Sequence, residues 1–352
     1  MAMPDPSPKV FGTFGFYRYV LACMVVITHT IPSLTFIGVY AVFGFFILSG
    51  YIVSYILHYT YLPQPYGIWK YLTNRALRIY PAYWIALMVS AFLVIYHPQQ
   101  AHDIFPAIGY PHGTGEWFAN IFTFGMANPW NGRLIEPSLL PISWSLGIEL
   151  LCWVWMIVLP ISQEWQNRII FASCLYSLLA LLLSLSHPYD ESLSPRYFSM
   201  LAASLPFCIG FLLFKNKQQG KFHIPHYIGL SMLPVFFCFL YVAFSLFTNI
   251  YFAGFYISIG IEAVTIAYLA QISQQCLPLS IQKLDNFFGN ITYPIFLLHL
   301  PVALALHLAF PSMRLYDTAY CIIIIAASSA TGWILHALVE TPVNHLRRMI
   351  KC

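Results

Sequence analysis

Charge is what this chain has least of. Asp, Glu, Lys and Arg together make up 8% of its 352 residues, where a soluble domain carries about 25%. With 59% hydrophobic and 18% aromatic residues, that scarcity excludes an ordinary soluble domain and points to a polytopic membrane protein. Other absences narrow the class further. The eight Cys residues are scattered singly, without paired C-x-x-C spacing, so a thiolate metal site or a dithiol redox site is not expected. The twelve His residues include no pair at helical ligand spacing beside a carboxylate, so no metal is expected. The formal charge of +4 reflects basic cytoplasmic loops and gives no reason to expect nucleic acid.

What is there is a series of long apolar runs. Spans are expected near 14–34, 38–59, 77–97, 141–161, 168–187, 197–214, 227–247, 250–272, 289–310 and 318–339. The fold class is therefore all-α, a bundle of about ten transmembrane helices. A single domain over 1–352, with a core of about 11–345, is expected without an additional soluble domain. The first run is too long for a cleavable signal peptide, contains Arg18 and lacks a small-residue cleavage site after it, so it is expected to remain as a span.

Basic residues set the orientation. With the N-terminus inside, Lys9, Arg18, Lys70, Arg75, Arg78, Arg168, Lys215, Lys217, Lys221, Lys283, Arg347, Arg348 and Lys351 fall on the cytoplasmic side. Arg133, Arg196 and Arg314 fall outside, and the bias follows the positive-inside rule with both termini cytoplasmic. The longest connection, about 98–140, contains Asp103, Glu116, Arg133 and Glu136. A lid or sugar-contacting surface and a simple cap over the bundle both suit a loop of that length.

Ionisable residues inside apolar spans are expensive and mark functional positions. Arg18 and His29 are eleven residues apart in FGFYRYVLACMVVITHT. That spacing puts both on one helix face, separated by about 16 Å along the axis. Arg75 and Arg78, three residues apart, share a face at the start of the third span. Their paired guanidinium forks suit a polyphosphate, with ordinary positive-inside anchoring as the lesser alternative. Glu149 and Glu262 are carboxylates within later spans, and no partner for Glu262 is evident from the sequence.

Six segments recur together in a recognisable order: the Arg18-x10-His29 pair, GFFILSGY (44–51), RALRIYPAYW (75–84), ISWSLGIEL (142–150), TYPIFLLHLPV (292–302) and VETP (339–342). Together they resemble the membrane-bound acyltransferase-3 family from about residue 11 to 345. Tyr17 and the Cys152-Trp153 pair depart from the usual family pattern. The resemblance implies a stand-alone bacterial inner-membrane O-acyltransferase, moving acetyl from acetyl-CoA to a hydroxyl of a cell-surface polysaccharide. A lipopolysaccharide O-antigen sugar is the leading acceptor, and no permanently bound cofactor is implied. Glycan or lipid-linked acceptor, acetyl-CoA and membrane lipid are then the expected partners.

On this reading His29 is the general base, since imidazole suits proton abstraction near neutrality. Glu149, at a similar expected depth, is assigned to orient the ring; contact with the acceptor and a structural role remain alternatives. Arg18, Arg75 and Arg78 are assigned to the phosphates of coenzyme A. Trp144, Ser145 and His299 are weaker candidates for the substrate or acyl path. His299 lies between Pro294 and Pro301, where broken helices line cavities; bonding to a carbonyl freed by Pro301 is the structural alternative. Direct transfer and an acetyl-histidine intermediate both fit. The competing class is a transporter or flippase for a glycan or lipid-linked substrate, which Pro-broken spans with buried Arg, His and Glu also suit. The absence of a convincing two-half repeat and the clustered arginines favour the enzyme.

Overall fold

The computed structural model describes residues 13–123, 138–186, 197–221, 223–226, 228–229, 251–272, 276–313, 315 and 317–351. Within them the chain is helical, with no strand. The helices are α1 (Phe14–Thr30), α2 (Thr35–Ile56), α3 (Gly67–Tyr96), α4 (Pro98–Ile104), α5 (Thr114–Phe122), α6 (Trp144–Trp155), α7 (Gln163–Ser186), α8 (Met200–Gln218), α9 (Tyr251–Gln271), α10 (Leu279–Ala309), α11 (Thr318–Leu335) and α12 (Thr341–Lys351). A π-turn, Leu57–Tyr61, extends α2, and another, His336–Glu340, joins α11 to α12. Six described helical segments are long and apolar enough to cross a bilayer, and α1 and Tyr256–Gln271 are shorter apolar helices.

Nine of the ten expected spans fall on described helices, and the span expected at 227–247 lies, apart from 228–229, outside the described residues, as do Lys9, Arg133, Glu136, Arg196 and Arg314. The largest differences are at ends. The third span begins ten residues early, at Gly67, and the ninth begins at Leu279, because polar positions extend a helix beyond its apolar stretch without ending it. The fourth shrinks to α6, with turns over 156–161. Pro160, lacking an N–H, cannot continue that helix.

α2 is the axle of the bundle. Val39, Tyr40, Phe43, Phe46, Ile47 and Tyr51 are all buried, and a helix that is apolar all round belongs in an interior. It packs on α1, α6, α8 and α9. By contrast α7 and α11 present Phe171, Leu175, Leu179, Ile322 and Trp333 outward, as faces solvated by lipid tails require.

Two close approaches fix the register around α2 and α1. A Cβ at Gly50 of α2 would lie 2.4 Å from the Phe207 carbonyl oxygen, and one at Gly210 of α8 2.2 Å from that of Ile47. Backbones meet there because small residues allow it. At the other crossing, a Cβ at Gly289 of α10 would sit 2.9 Å from the Gly15 Cα. Beside it the Asp285 carboxylate accepts the Phe16 N–H at 2.8 Å. That bond satisfies one of the orphan donors in the first turn of α1, where negative charge is also favoured by the helix dipole.

The connection after α3 folds back on its own helix. Tyr80 and Trp84 donate to the carbonyls of Phe122 and Ile121 at 2.8 and 2.9 Å, and Leu139 N–H donates to Asn120 Oδ1 at 3.0 Å. Its described part is thus a cap on α3, while 124–137 lie outside the described residues.

Replacing Gly50 or Gly210 with Ala must push α2 and α8 apart, at a cost of about 1–3 kcal/mol. Gly260, which has open space around it, should tolerate Ala. Thermal midpoints of the three purified variants in detergent check this, with the first two expected to fall and the third to hold.

Candidate functional site

The helices enclose a cavity of about 330 Å³ at the end of the bundle where α2 finishes and α3 begins. Its wall brings together Arg18 of α1, Arg75 and Arg78 of α3, Arg347 of α12 and a single carboxylate, Glu149 of α6. The lining along α2 runs from Val42 to Ile56, about 21 Å of helix axis.

Each cation is held differently. The Arg75 guanidinium lies over the ring of Trp153 at 4.8 Å and that of Tyr71 at 5.5 Å, contacts that leave its edge donors directed elsewhere. Arg78 pairs with Glu340 at 3.4 Å and lies 5.7 Å over Tyr293. The same Glu340 bonds His336 Nδ1 at 2.7 Å across the π-turn. That turn places the two side chains together while redirecting the chain from α11 into α12. Arg347 is tied by Nε to Asn74 Oδ1 at 3.0 Å and by a terminal nitrogen to Asn344 at 2.6 Å. Asn74 returns a bond from Nδ2 to the Arg347 carbonyl at 3.0 Å.

Glu149 does not meet His29. Its Oε1 accepts from Ser49 at 2.6 Å, and Ser49 in turn accepts from the Trp153 indole at 2.9 Å. Ser49 is fourteen residues into α2, about 21 Å from its start. Arg18 is twelve residues from the end of α1, about 18 Å. Because α1 and α2 are antiparallel neighbours, Glu149 sits at the level of Arg18. The equal depth of Glu149 and His29 expected from sequence fails because the apolar run from 141 gives no sign of where α6 packs against α2.

His29 lies in the last turn of α1, half-buried, and its ring is 5.3 Å from that of His299, tilted by 33°. His299 is buried, and its Nδ1 is 2.9 Å from the Phe296 carbonyl and 3.3 Å from that of Ile295. A nitrogen facing two acceptors carries the proton, so in the neutral ring Nε2 holds the lone pair. Those carbonyls are not the one that Pro301 releases, which belongs to Leu297 four residues before it. Phe296, one turn below, has its ring 6.4 Å from His299 and lines the cavity. The histidine pair thus stands just beyond the cavity's upper wall.

Of the weaker candidates, Ser145 lines the cavity, with its hydroxyl bonded to the Ile142 carbonyl at 3.1 Å. Trp144 is not part of the lining; it packs edge-on against Tyr197 and Phe198 at 4.8 and 4.6 Å. Glu262 is buried beside Gly44, away from the cavity, and neither carboxyl oxygen has a hydrogen-bond partner among the described residues. No group of three or more metal-ligating side chains occurs among the described residues.

Sequence reasoning missed four contributors. Ser49, Tyr293 and Glu340 lie inside the quoted segments GFFILSGY, TYPIFLLHLPV and VETP, so the signal was present without an assigned role. Arg347 carried no signal beyond being one of several basic residues near the chain end.

A bundle of membrane-length helices around a cavity with four arginines and one carboxylate defines a membrane protein with a strongly cationic internal site. The acyltransferase-3 family model, described as an acyltransferase domain, matches residues 15–334. The chain belongs to that family, which makes it a membrane acyltransferase. No curated protein and no solved structure matches it significantly.

Glu340 compensates Arg78 and bonds His336 together, so Glu340→Gln should lower unfolding stability by about 1–3 kcal/mol. That is less than the roughly 3–5 kcal/mol for breaking a fully buried pair, because Arg78 keeps contact with the cavity. Chemical or thermal unfolding of the detergent-solubilised variant measures it.

Proposed function

We propose that this protein is a bacterial inner-membrane O-acetyltransferase that takes acetyl from acetyl-CoA inside and places it on a hydroxyl of a surface polysaccharide outside. A lipopolysaccharide O-antigen sugar is the leading acceptor. The observation that carries the reading is the convergence of Arg18, Arg75, Arg78 and Arg347 on one cavity against the single lining carboxylate Glu149. Such a surplus of guanidinium suits the phosphates of coenzyme A. The thirteen-to-three distribution of basic residues supports a cytoplasmic position for that end and for both termini. About ten spans are assigned on this reading.

The donor's diphosphate lies among the arginines, and its pantetheine arm runs along α1 toward His29, about 16 Å from Arg18. The acceptor hydroxyl attacks the thioester carbonyl carbon while an imidazole nitrogen of His29 takes its proton. The carbon–sulfur bond then breaks, and the proton passes to the departing thiolate, giving ester and free coenzyme A. His299, with its proton fixed on Nδ1, presents an acceptor nitrogen that suits it to position the His29 ring. Glu149 belongs with the arginines on this scheme: it keeps part of their charge compensated and, through Ser49 and Trp153, holds the wall beneath Arg75.

Membranes containing the protein should transfer radiolabelled acetyl from acetyl-CoA into an envelope glycan. His29→Ala at equal abundance should reduce the rate by at least about 100-fold, the lower end for loss of a general base. Label retained by the variant removes His29 from the chemistry; no label with the native protein and its glycan returns the carrier reading to first place.

A further inference from the structure

Arg347 sits on α12, beyond the matched family region. Two of its five N–H donors are spent on Asn74 and Asn344, both neutral amides. Among the described residues three donors remain for the cavity that the side chain lines, and no ion pair is formed. The anchoring is unusually complete: Asn74 is 2% exposed and bonds both the side chain and the backbone carbonyl of Arg347. A guanidinium fixed this way has lost its rotamer freedom before any ligand arrives, which favours a specific anion over diffuse charge. Arg348, the next residue, is exposed and absent from the wall.

Its level in the cavity is also defined. Asn74 precedes Arg75 by one residue and Arg78 by one turn on α3, so Arg347, tied to Asn74, stands level with Arg75 and about 6 Å nearer the start of that helix than Arg78. A donor whose thioester points toward His29 meets the arginines in the order of its own groups. Pantetheine passes Arg18, the diphosphate reaches the Arg75–Arg78 pair, and the ribose 3′-phosphate comes last.

We propose that Arg347 is a specificity residue that recognises the ribose 3′-phosphate of the coenzyme A donor, so that the enzyme discriminates against donors lacking that phosphate. This rests on the coenzyme A reading above. Arg347 reaches the outer level of the lining arginines from α12, opposite Arg75 and Arg78 on α3, Asn74 sets its direction, and the dianionic phosphate accepts two of its N–H groups as a fork.

The test compares acetyl-CoA with acetyl-dephospho-CoA on the native protein, Arg347→Ala, Arg347→Lys and Arg348→Ala in the same membranes. The native protein should show a KM about 10–100-fold lower for acetyl-CoA, the range of a charge-assisted pair. Arg347→Ala should raise the KM for acetyl-CoA far more than that for the dephospho donor, so that the difference between the two donors disappears. Arg347→Lys should recover part of the difference, and Arg348→Ala should leave it intact. Competition by adenosine 3′,5′-bisphosphate against adenosine 5′-phosphate on the native protein gives a readout independent of any variant's folding, and the bisphosphate should win. Equal KM values for the two donors on the native protein would overturn the proposal while leaving the donor reading standing. So would an equal loss for both donors in Arg347→Ala, the result expected if Arg347 held a lipid phosphate or the fold. Turnover with neither donor fells the coenzyme A reading and this inference together.

Discussion

Four guanidinium groups around one small cavity repel one another, and much of the surrounding architecture serves to hold them there. In bulk water the repulsion would be screened; between helices it is not. The chain meets it with a different device at three of the four positions. Arg78 receives a carboxylate, Glu340, delivered by a π-turn. Arg75 receives two aromatic faces. Arg347 receives two amides. Glu149 stands among them, its position fixed through Ser49 by the Trp153 indole that also underlies the Arg75 stack. Compensation is therefore incomplete by construction: neutral partners orient cations without cancelling them, and the remaining field is what an anionic ligand would relieve.

α1 measures the distance between that field and the histidines. Its two ionisable residues share a face, so its axial position decides where each one stands. The Asp285 cap and the Gly15–Gly289 contact pin its first turn to α10. The same α10 carries Tyr293 beneath Arg78's guanidinium and His299 beside His29. One helix pair thus sets both ends of the site, and a slip of α1 by a single turn would displace both by about 5.4 Å.

Legibility in the sequence followed rarity. Arg18 and His29 stood out because charge within an apolar run is costly, and their common face follows from helical period alone. Arg75 and Arg78 were legible as a pair for the same reason. Arg347 was not, since a basic residue after a last span is what the positive-inside rule supplies anyway; its difference from Arg348 appears when α12 is seen to turn one toward Asn74 and the other away. Glu149 was found as a residue and misplaced in depth, because span boundaries say nothing about how far a short helix is set into its neighbours. His299 was found as a break between prolines, but the carbonyls it binds are those of its own turn, a rotamer choice that no spacing encodes. Helix positions read well where runs are uniformly apolar and poorly at α3 and α10, whose polar starts extend the helices beyond the apolar signal.

The layout also bears on which chemistry is economical. A carrier would have to move its anion away from the arginines and past Phe296 and the histidine pair, into a stretch where an uncompensated charge costs several kcal/mol or more. In the proposed acetyl transfer nothing charged makes that passage. The phosphates stay with the guanidinium groups throughout, and the moving group is a neutral acetyl of two carbons. The proton of the acceptor hydroxyl ends on the thiolate beside it, so the exchange transfers no net charge to the acceptor. Cations at one end and imidazoles at the other suit the proposed reaction: a fixed anchor for the part that must not cross, and a candidate proton acceptor where the acetyl would be handed over.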